Sequence, residues 1–269
     1  QPIGTGPFKV DEVTTQHALL LANDDYYGGR PHLDKIEFKF FSDYANVLNA
    51  YRRGEIHSIS HVPRELLAGV LAEDGLELYS APLAGYGLVF LNLERPIFQQ
   101  RAVRQALLLA IDRQRIIDQI LEGQALVANG PVLPSSWAYE PNTPHHAHDP
   151  VKAKTLLSLA GWCDTDGEGI RESDGIPLQF ALLTNNDSTR VRIINELTRQ
   201  WAQIGIRVVP QTAGVAGLVR DFLAPRDYEA LLYEWHHLPL DPDPYPQWHS
   251  TQILGMGQNF TAYSSERAD

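Results

Sequence analysis

Residues 235–250 read Trp-His-His-Leu-Pro-Leu-Asp-Pro-Asp-Pro-Tyr-Pro-Gln-Trp-His-Ser, and no other stretch constrains the fold as strongly. Four prolines fix φ at four points and remove four backbone donors. Each residue before a proline is pushed toward extended geometry. The segment is expected to be neither helix nor central strand. It reads as a stiff loop carrying two Trp, one Tyr, three His and two Asp, directly after a strand-like run at 228–234. In α/β sheets ligands bind beyond the carboxyl ends of strands. Aromatic surface with a few fixed polar groups is the common lining of a small-molecule cleft.

The rest of the chain supplies a layered α/β pattern. Strands are expected at 8–13, 17–22, 36–40, 76–80, 87–93, 178–183, 206–209 and 229–234. Ile36, Phe38 and Phe40 alternate with Glu37 and Lys39, the period of a half-buried strand. Helices are expected at 44–53 and 64–71, across a helix or helix pair ending near Leu121, and at 150–161, 189–204 and 215–224. Val103, Ala106, Leu107, Ala110 and Ile111 share one helical face, and Asp149-Pro150 suits an N-cap followed by N1. Such alternation argues for a sheet with helices against its faces.

Charge and cysteine content exclude some classes. With 22 Lys and Arg against 33 Asp and Glu, net charge is −11, which argues against nucleic acid as a partner. The single cysteine, Cys163, cannot form an internal disulfide. No apolar run has the length of a membrane span, and no signal peptide is present. The ends read as those of a fragment. Asn259-Phe260-Thr261 is a formal glycosylation triplet to which no weight attaches.

Two clusters have metal-ligand residue types. Asp164, Asp166 and Glu168 begin like a calcium loop, with Glu172 and Asp174 near, but the twelfth position is Gly175 and not the bidentate Glu. A polar turn is the competing reading, and any calcium there is structural. His145, His146, His148 and Asp149 form the second cluster, in a loop. No Gly-x-Ser-x-Gly, phosphate-binding loop, His-Glu-x-x-His or CxxC occurs, so catalysis has no sequence support.

Taken in order, Gly4-Thr5-Gly6-Pro7-Phe8, Gly54-Glu55-Ile56, Leu91-Asn92, Val103-Arg104-Gln105-Ala106-Leu107, Ala110-Ile111-Asp112-Arg113, Gly130-Pro131-Val132, Ala160-Gly161-Trp162 and Asp241-Pro242-Asp243-Pro244-Tyr245 with Trp248-His249-Ser250 form a series. The chain resembles the family 5 extracellular solute-binding proteins, the peptide, nickel and oligopeptide receptors of bacterial ABC importers. The resemblance implies a type II periplasmic-binding-protein-like fold of two lobes, incomplete here. Residues 1–95 correspond to the later part of lobe one, with a crossover strand at 86–93, and 96–269 to most of the second lobe. It implies ligand capture by hinge closure without chemistry, outside the cytoplasm, by a monomer tethered as a lipoprotein and served by an ABC permease. The expected solute is an oligopeptide, with an oligosaccharide or another polar solute as the alternative.

Within that frame Trp235 is expected to form a stacking wall, with His236 and His237 offering imidazole and backbone groups. Tyr86 and Asn92 are expected at the crossover, and Asn185 and Asn186 as polar contacts. One departure stands out. Peptide-binding members often carry an Asp three residues after this Trp, paired with the peptide amino terminus, and here that position is Leu238. A buried ammonium without a counter-ion is costly, which puts an amine grip there in doubt. His57 replaces the usual acid after Gly-Glu-Ile. A ligand-sensing domain of a transcriptional regulator and a metal-dependent hydrolase using the His cluster are the alternatives.

Overall fold

The computed structural model describes residues 4–80, 84–143, 145–236, 243–255, 257–267 and 269, with the backbone alone for Arg64 and Glu65. The chain divides into two compact units, Gln1–Tyr79 and Ser80–Asp269. No helix among the described residues is long and apolar enough to cross a membrane.

In the first unit β1 (Phe8–Val13), β2 (His17–Ala22) and β3 (Lys35–Lys39) form an antiparallel sheet in that order. Asn23 anchors it. Its backbone N–H donates to Pro7 O at 2.9 Å, and its side-chain Nδ2 donates to Gly6 O at 2.9 Å. Two helices follow, α1 (Tyr44–Arg52) and α2 (Arg64–Leu71). Asp43 caps α1 by accepting from Asn46 N at 2.9 Å, and Gly54 ends that segment at φ +71°, a conformation costly for side-chain-bearing residues. The strand expected at 76–80 does not form. Leu78 and Tyr79 are exposed, and no neighbouring strand offers a ladder to 76–80 among the described residues, so the apolar alternation had nothing to pair with.

The second unit is built on a four-stranded sheet. Along the chain come β4 (Tyr86–Leu91), α3 (Pro96–Gln99), α4 (Arg101–Leu109), α5 (Arg113–Gln119) and α6 (Pro150–Leu159). The short hairpin of β5 (Glu172–Ser173) and β6 (Ile176–Pro177) turns through Asp174 and Gly175, both at positive φ, as a two-residue Asp-Gly turn requires. Then follow β7 (Gln179–Asn185), α7 (Ser188–Ala202), β8 (Arg207–Ala213), α8 (Val215–Gly217) and β9 (Ala230–Trp235). The order across the sheet is β4-β9-β7-β8, with β4 antiparallel to β9 and the other pairs parallel. Helix 215–224, expected as one α-helix, continues from α8 as a π-helix over Leu218–Leu223.

The inner strands β7 and β9 are apolar on both faces, as strands buried on both sides must be, while the edge strand β8 is largely exposed. Phe180, Leu182, Ala230 and Leu232 face a core made with α4, α6 and α7, which includes Phe98, Leu157, Ile194 and Trp201. Leu183, Leu231 and Phe90 face a second, smaller cluster with Leu218, Leu223 and Tyr228. Polar atoms inside the larger layer are matched. Trp201 Nε1 donates to Leu107 O at 2.9 Å, and Trp162 Nε1 donates to Gln100 Oε1 at 2.9 Å.

A polar network ties α5 to α7. Asp112 N donates to Gln200 Oε1 at 2.6 Å, and Gln200 Nε2 donates to Glu196 Oε1 at 2.7 Å. Hydrogen bonding from Arg199 first, then Gln200, with the charges of Arg199 and Arg115, outweighs burial and lowers the Glu196 carboxyl to about 2. A carboxylate depressed in the folded state stabilises fully above its unfolded value, and that stability disappears as pH falls through the folded one. Acidification from about pH 4.5 to about pH 2 is therefore expected to remove on the order of 1–2 kcal/mol, allowing for solvent screening of the two half-exposed arginines. Urea unfolding of the wild type and of Glu196→Gln across that window checks this, since the variant is expected to lose less stability on acidification.

Candidate functional site

Strands β7 and β9 run parallel and end together at Asn185 and Trp235. Beside them β4 begins, with Tyr86 paired to Trp235 and Gly87 paired to Glu234. In an antiparallel ladder, paired residues project to the same face. Tyr86 and Trp235 accordingly lie on the face of the smaller apolar cluster, and Glu234 lies on the α7 face. Gly85 packs so closely that a Cβ there would lie 2.4 Å from Trp235 O, so glycine is what lets the chain pass.

The Trp235 ring is half-buried. Phe260 stacks on it, with centroids 5.7 Å apart and planes 13° apart, while Phe90 and Tyr233 meet it edge-on at 6.3 and 6.2 Å. One indole face is thereby taken by Phe260. Its Nε1 is buried and has no hydrogen-bond partner among the described residues. Burial pushes the Tyr86 hydroxyl up, and a hydrogen bond with Trp248 pulls it the other way.

The aromatic loop is not wholly irregular. Tyr245–Trp248 forms a short helix, α9, where none was expected. Pro246 sits in its first turn, where a missing N–H is tolerated, and Trp248 N donates to Pro244 O at 3.0 Å. Asn259, passed over in the sequence as part of a glycosylation triplet, is fully buried and organises this region. Its Nδ2 donates to Tyr263 O at 2.8 Å, His249 O at 3.2 Å and Trp248 O at 3.3 Å.

Arg190, in the first turn of α7, donates from Nη2 to Glu234 Oε2 at 2.7 Å, and His236 Nε2 lies 3.3 Å from the same oxygen. Neither Arg190 nor Glu234 was singled out from sequence, because their partnership spans 44 residues. The available signals were a charged residue closing an apolar strand and an Arg three positions after the Asp187 cap.

The structure brings Trp235, Tyr86 and His236 together at this edge. Asn185 is the last residue of β7 and Asn186 follows it. Asn185 is buried and its Oδ1 accepts from Asp187 N at 3.2 Å, so it shapes the turn, whereas Asn186 is exposed. Asn92 is not part of this group. It follows the far end of β4, about 20 Å from Tyr86 at the usual strand rise. Its Nδ2 donates to Arg226 O and Tyr228 O, both at 2.9 Å, and its Oδ1 accepts from Glu94 N at 3.0 Å. That far edge also carries a hollow of about 180 Å³ beside Arg95, Asp227 and Glu229. His237, Leu238 and Asp241 lie outside the described residues.

The acidic turn brings Asp164, Asp166 and Glu172 within 4.8 Å of one another, with Glu172 in place of Glu168. Four of the six carboxylate oxygens are engaged within the turn. Asp164 accepts from Gly167 N at 2.8 Å and Gly169 N at 3.0 Å, Asp166 from Glu168 N at 2.9 Å, and Glu172 from Thr165 N at 2.5 Å. His145, His146 and His148 are exposed, and among the described residues they are not gathered into a ligand set. The hydrolase alternative loses its proposed site. Asp149 instead caps α6 by accepting from Lys152 N at 2.8 Å.

The model of the bacterial extracellular solute-binding proteins, family 5 (middle part), matches residues 1–253. The chain belongs to that family. The oligopeptide-binding protein AppA of Bacillus subtilis is 35% identical over 274 residues, which cover 100% of this chain and 50% of AppA. The structure of AppA in complex with a nonapeptide matches at a TM-score of 0.72, with 35% identity, over 100% of this chain and 54% of that one. NikZ of Campylobacter jejuni, solved with Ni(L-His), matches at a TM-score of 0.72 with 28% identity, over 98% of this chain and 53% of NikZ. This family 5 chain therefore spans about half the length of these relatives, and its mixed α/β layers are those of the type II periplasmic-binding-protein-like fold.

Proposed function

We propose that the complete protein is the ligand-capture component of an ABC importer, that its solute is an oligopeptide, and that it acts by hinge closure without chemistry. In this reading residues 1–95, with β4 as the crossover strand, contribute to one lobe and residues 96–269 to the other. The protein works outside the cytoplasm as a tethered lipoprotein and hands its solute to a membrane permease. Family membership and the nonapeptide held by AppA support the class of solute.

The observation that carries the location is the Trp235 Nε1 at the carboxyl end of β9, buried and without a hydrogen-bond partner among the described residues, beside Tyr86 and His236. An unmatched buried N–H costs about 1–3 kcal/mol, which an acceptor on a solute would recover. A peptide backbone is rich in such acceptors. Trp235, Tyr86, His236 and the exposed Asn186 form the contact surface in this reading. Asn92 and Asn185 hold the scaffold.

Mass spectrometry of small molecules co-purified with the full-length protein tests the class. Retained peptides support it, and a retained sugar or a nickel–histidine complex overturns it. Trp235→Ala is expected to weaken the retained solute by about 1–3 kcal/mol through lost ring contact and the lost indole donor. Calorimetric titration checks this, and unchanged affinity removes Trp235 from the site.

A further inference from the structure

We infer that Phe260 is a positioning residue of the solute site, holding the Trp235 indole so that its N–H stays presented to the captured solute. The inference rests on the solute-capture reading and adds to it the group that keeps Trp235 in place.

Three observations converge. The first is the stack itself. Phe260 lies flat on the indole, with centroids 5.7 Å apart and planes 13° apart, while Phe90 and Tyr233 approach it at 88°. The second is the clamp on the main chain around Phe260. Arg226 Nε donates to Asn259 O at 3.1 Å, Tyr228 Oη donates to Phe260 O at 2.5 Å, and Leu93 N donates to Thr261 O at 3.0 Å. Leu93 lies two residues beyond β4 and Tyr228 two residues before β9, so the clamp is built on the two strands that carry Tyr86 and Trp235. Burial pushes the Tyr228 hydroxyl up, which keeps its proton in place to donate. The third is the indole N–H, buried and without a hydrogen-bond partner among the described residues.

An unmatched buried N–H favours any turn of the side chain that gives it a partner. The flat contact opposes such a turn. The indole cannot tilt without giving up the stack, and offset-stacked aromatic pairs gain beyond the area they bury. Trp235 ends β9, and Phe260 lies where the aromatic segment comes back to the sheet. Their contact closes the base of that segment and leaves the indole ordered before the solute arrives, which removes an ordering cost from binding. Asn259 sets the approach. It is fully buried, its Nδ2 donates to the carbonyls of Trp248, His249 and Tyr263, and its Oδ1 accepts from Thr261 Oγ1 at 3.0 Å. All three bonds of the clamp end on main-chain oxygens of residues 259–261. Replacing the Phe260 ring therefore leaves the clamp in place and removes only the flat face against Trp235.

The full-length protein, freed of co-purified solute, is offered a synthetic pool of short peptides, and the member it retains most strongly by native mass spectrometry is the probe. Calorimetry gives the affinity of that peptide for the wild type, Phe260→Leu, Trp235→Ala and the double variant, and urea unfolding gives the stability of each. Phe260→Leu keeps apolar bulk and loses the flat face, and is expected to weaken the probe by roughly three- to tenfold. Phe260→Tyr keeps the ring and is expected to bring affinity back to within about twofold of the wild type. With Trp235→Ala already present, the leucine change is expected to have no further effect, because a positioning residue acts only through the group it positions. A Phe260 that only supports the fold lowers stability and leaves the affinity of the folded fraction unchanged. Phe260→Met, a flexible chain of similar bulk, replaces the leucine variant where that one fails to fold. Wild-type affinity in Phe260→Leu, or an equal loss with and without the Trp235 indole, overturns the inference and leaves peptide capture standing. Unchanged affinity in Trp235→Ala removes the indole from the site and this inference with it. Retention of no peptide overturns peptide capture and the inference together.

Discussion

Trp201→Ala is expected to destabilise the protein by about 3–5 kcal/mol, the range for removing a large aromatic from a close-packed core. Trp201 is 1% exposed and lies at the centre of the layer between α7 and the sheet. Phe180 meets it at a centroid distance of 5.6 Å, and Phe98 meets Phe180 at 5.1 Å, so the three rings form one chain of edge-on contacts. The alanine leaves a cavity next to rigid rings and strips the partner from Leu107 O, which Nε1 now satisfies at 2.9 Å. Trp201→Phe keeps most of the apolar surface and loses the hydrogen bond, so its cost is expected to be clearly smaller. Urea unfolding of both variants separates the packing and hydrogen-bond contributions, and a Trp201→Ala loss under 1 kcal/mol contradicts the packing described here.

Asn92→Ala is expected to cost about 2–4 kcal/mol without changing the affinity of the folded fraction for solute. One amide there closes the turn that leads into β9, bonding Arg226 O, Tyr228 O and Glu94 N, and it is 1% exposed. Deleting it leaves two carbonyls and one N–H to find new partners, and each unmatched buried group costs about 1–3 kcal/mol. Thermal unfolding and calorimetric titration on the same preparation decide between a structural and a ligand-contacting asparagine. A large affinity loss with unchanged stability gives Asn92 back to the solute.

These two residues also show what the sequence carried. Helix α7 and strands β7 and β9 were legible as elements, expected at 189–204, 178–183 and 229–234 and formed within about two residues of those bounds. The Trp235 region was legible as a place, since aromatic residues and prolines after a strand limit what the backbone can do. The role of Asn92 was not legible, because its partners lie more than 130 residues away. A polar residue after a strand looks the same in sequence whether its amide faces a solute or a distant carbonyl. Arg190 and Glu234 escaped notice for the same reason. The strand expected at 76–80 failed on the converse point: alternation supplies a face, and only a neighbouring strand makes a ladder. The unexpected helix at Tyr245–Trp248 reflects how well proline fits a first turn, where it fits a helix interior badly.

A crystal structure of the full-length protein with its retained solute tests the central claim most directly. The account predicts the solute within contact distance of Trp235, Tyr86 and His236, with an acceptor on the Trp235 indole N–H. A solute seated instead at the far edge of the sheet, in the hollow beside Arg95, Asp227 and Glu229, contradicts it.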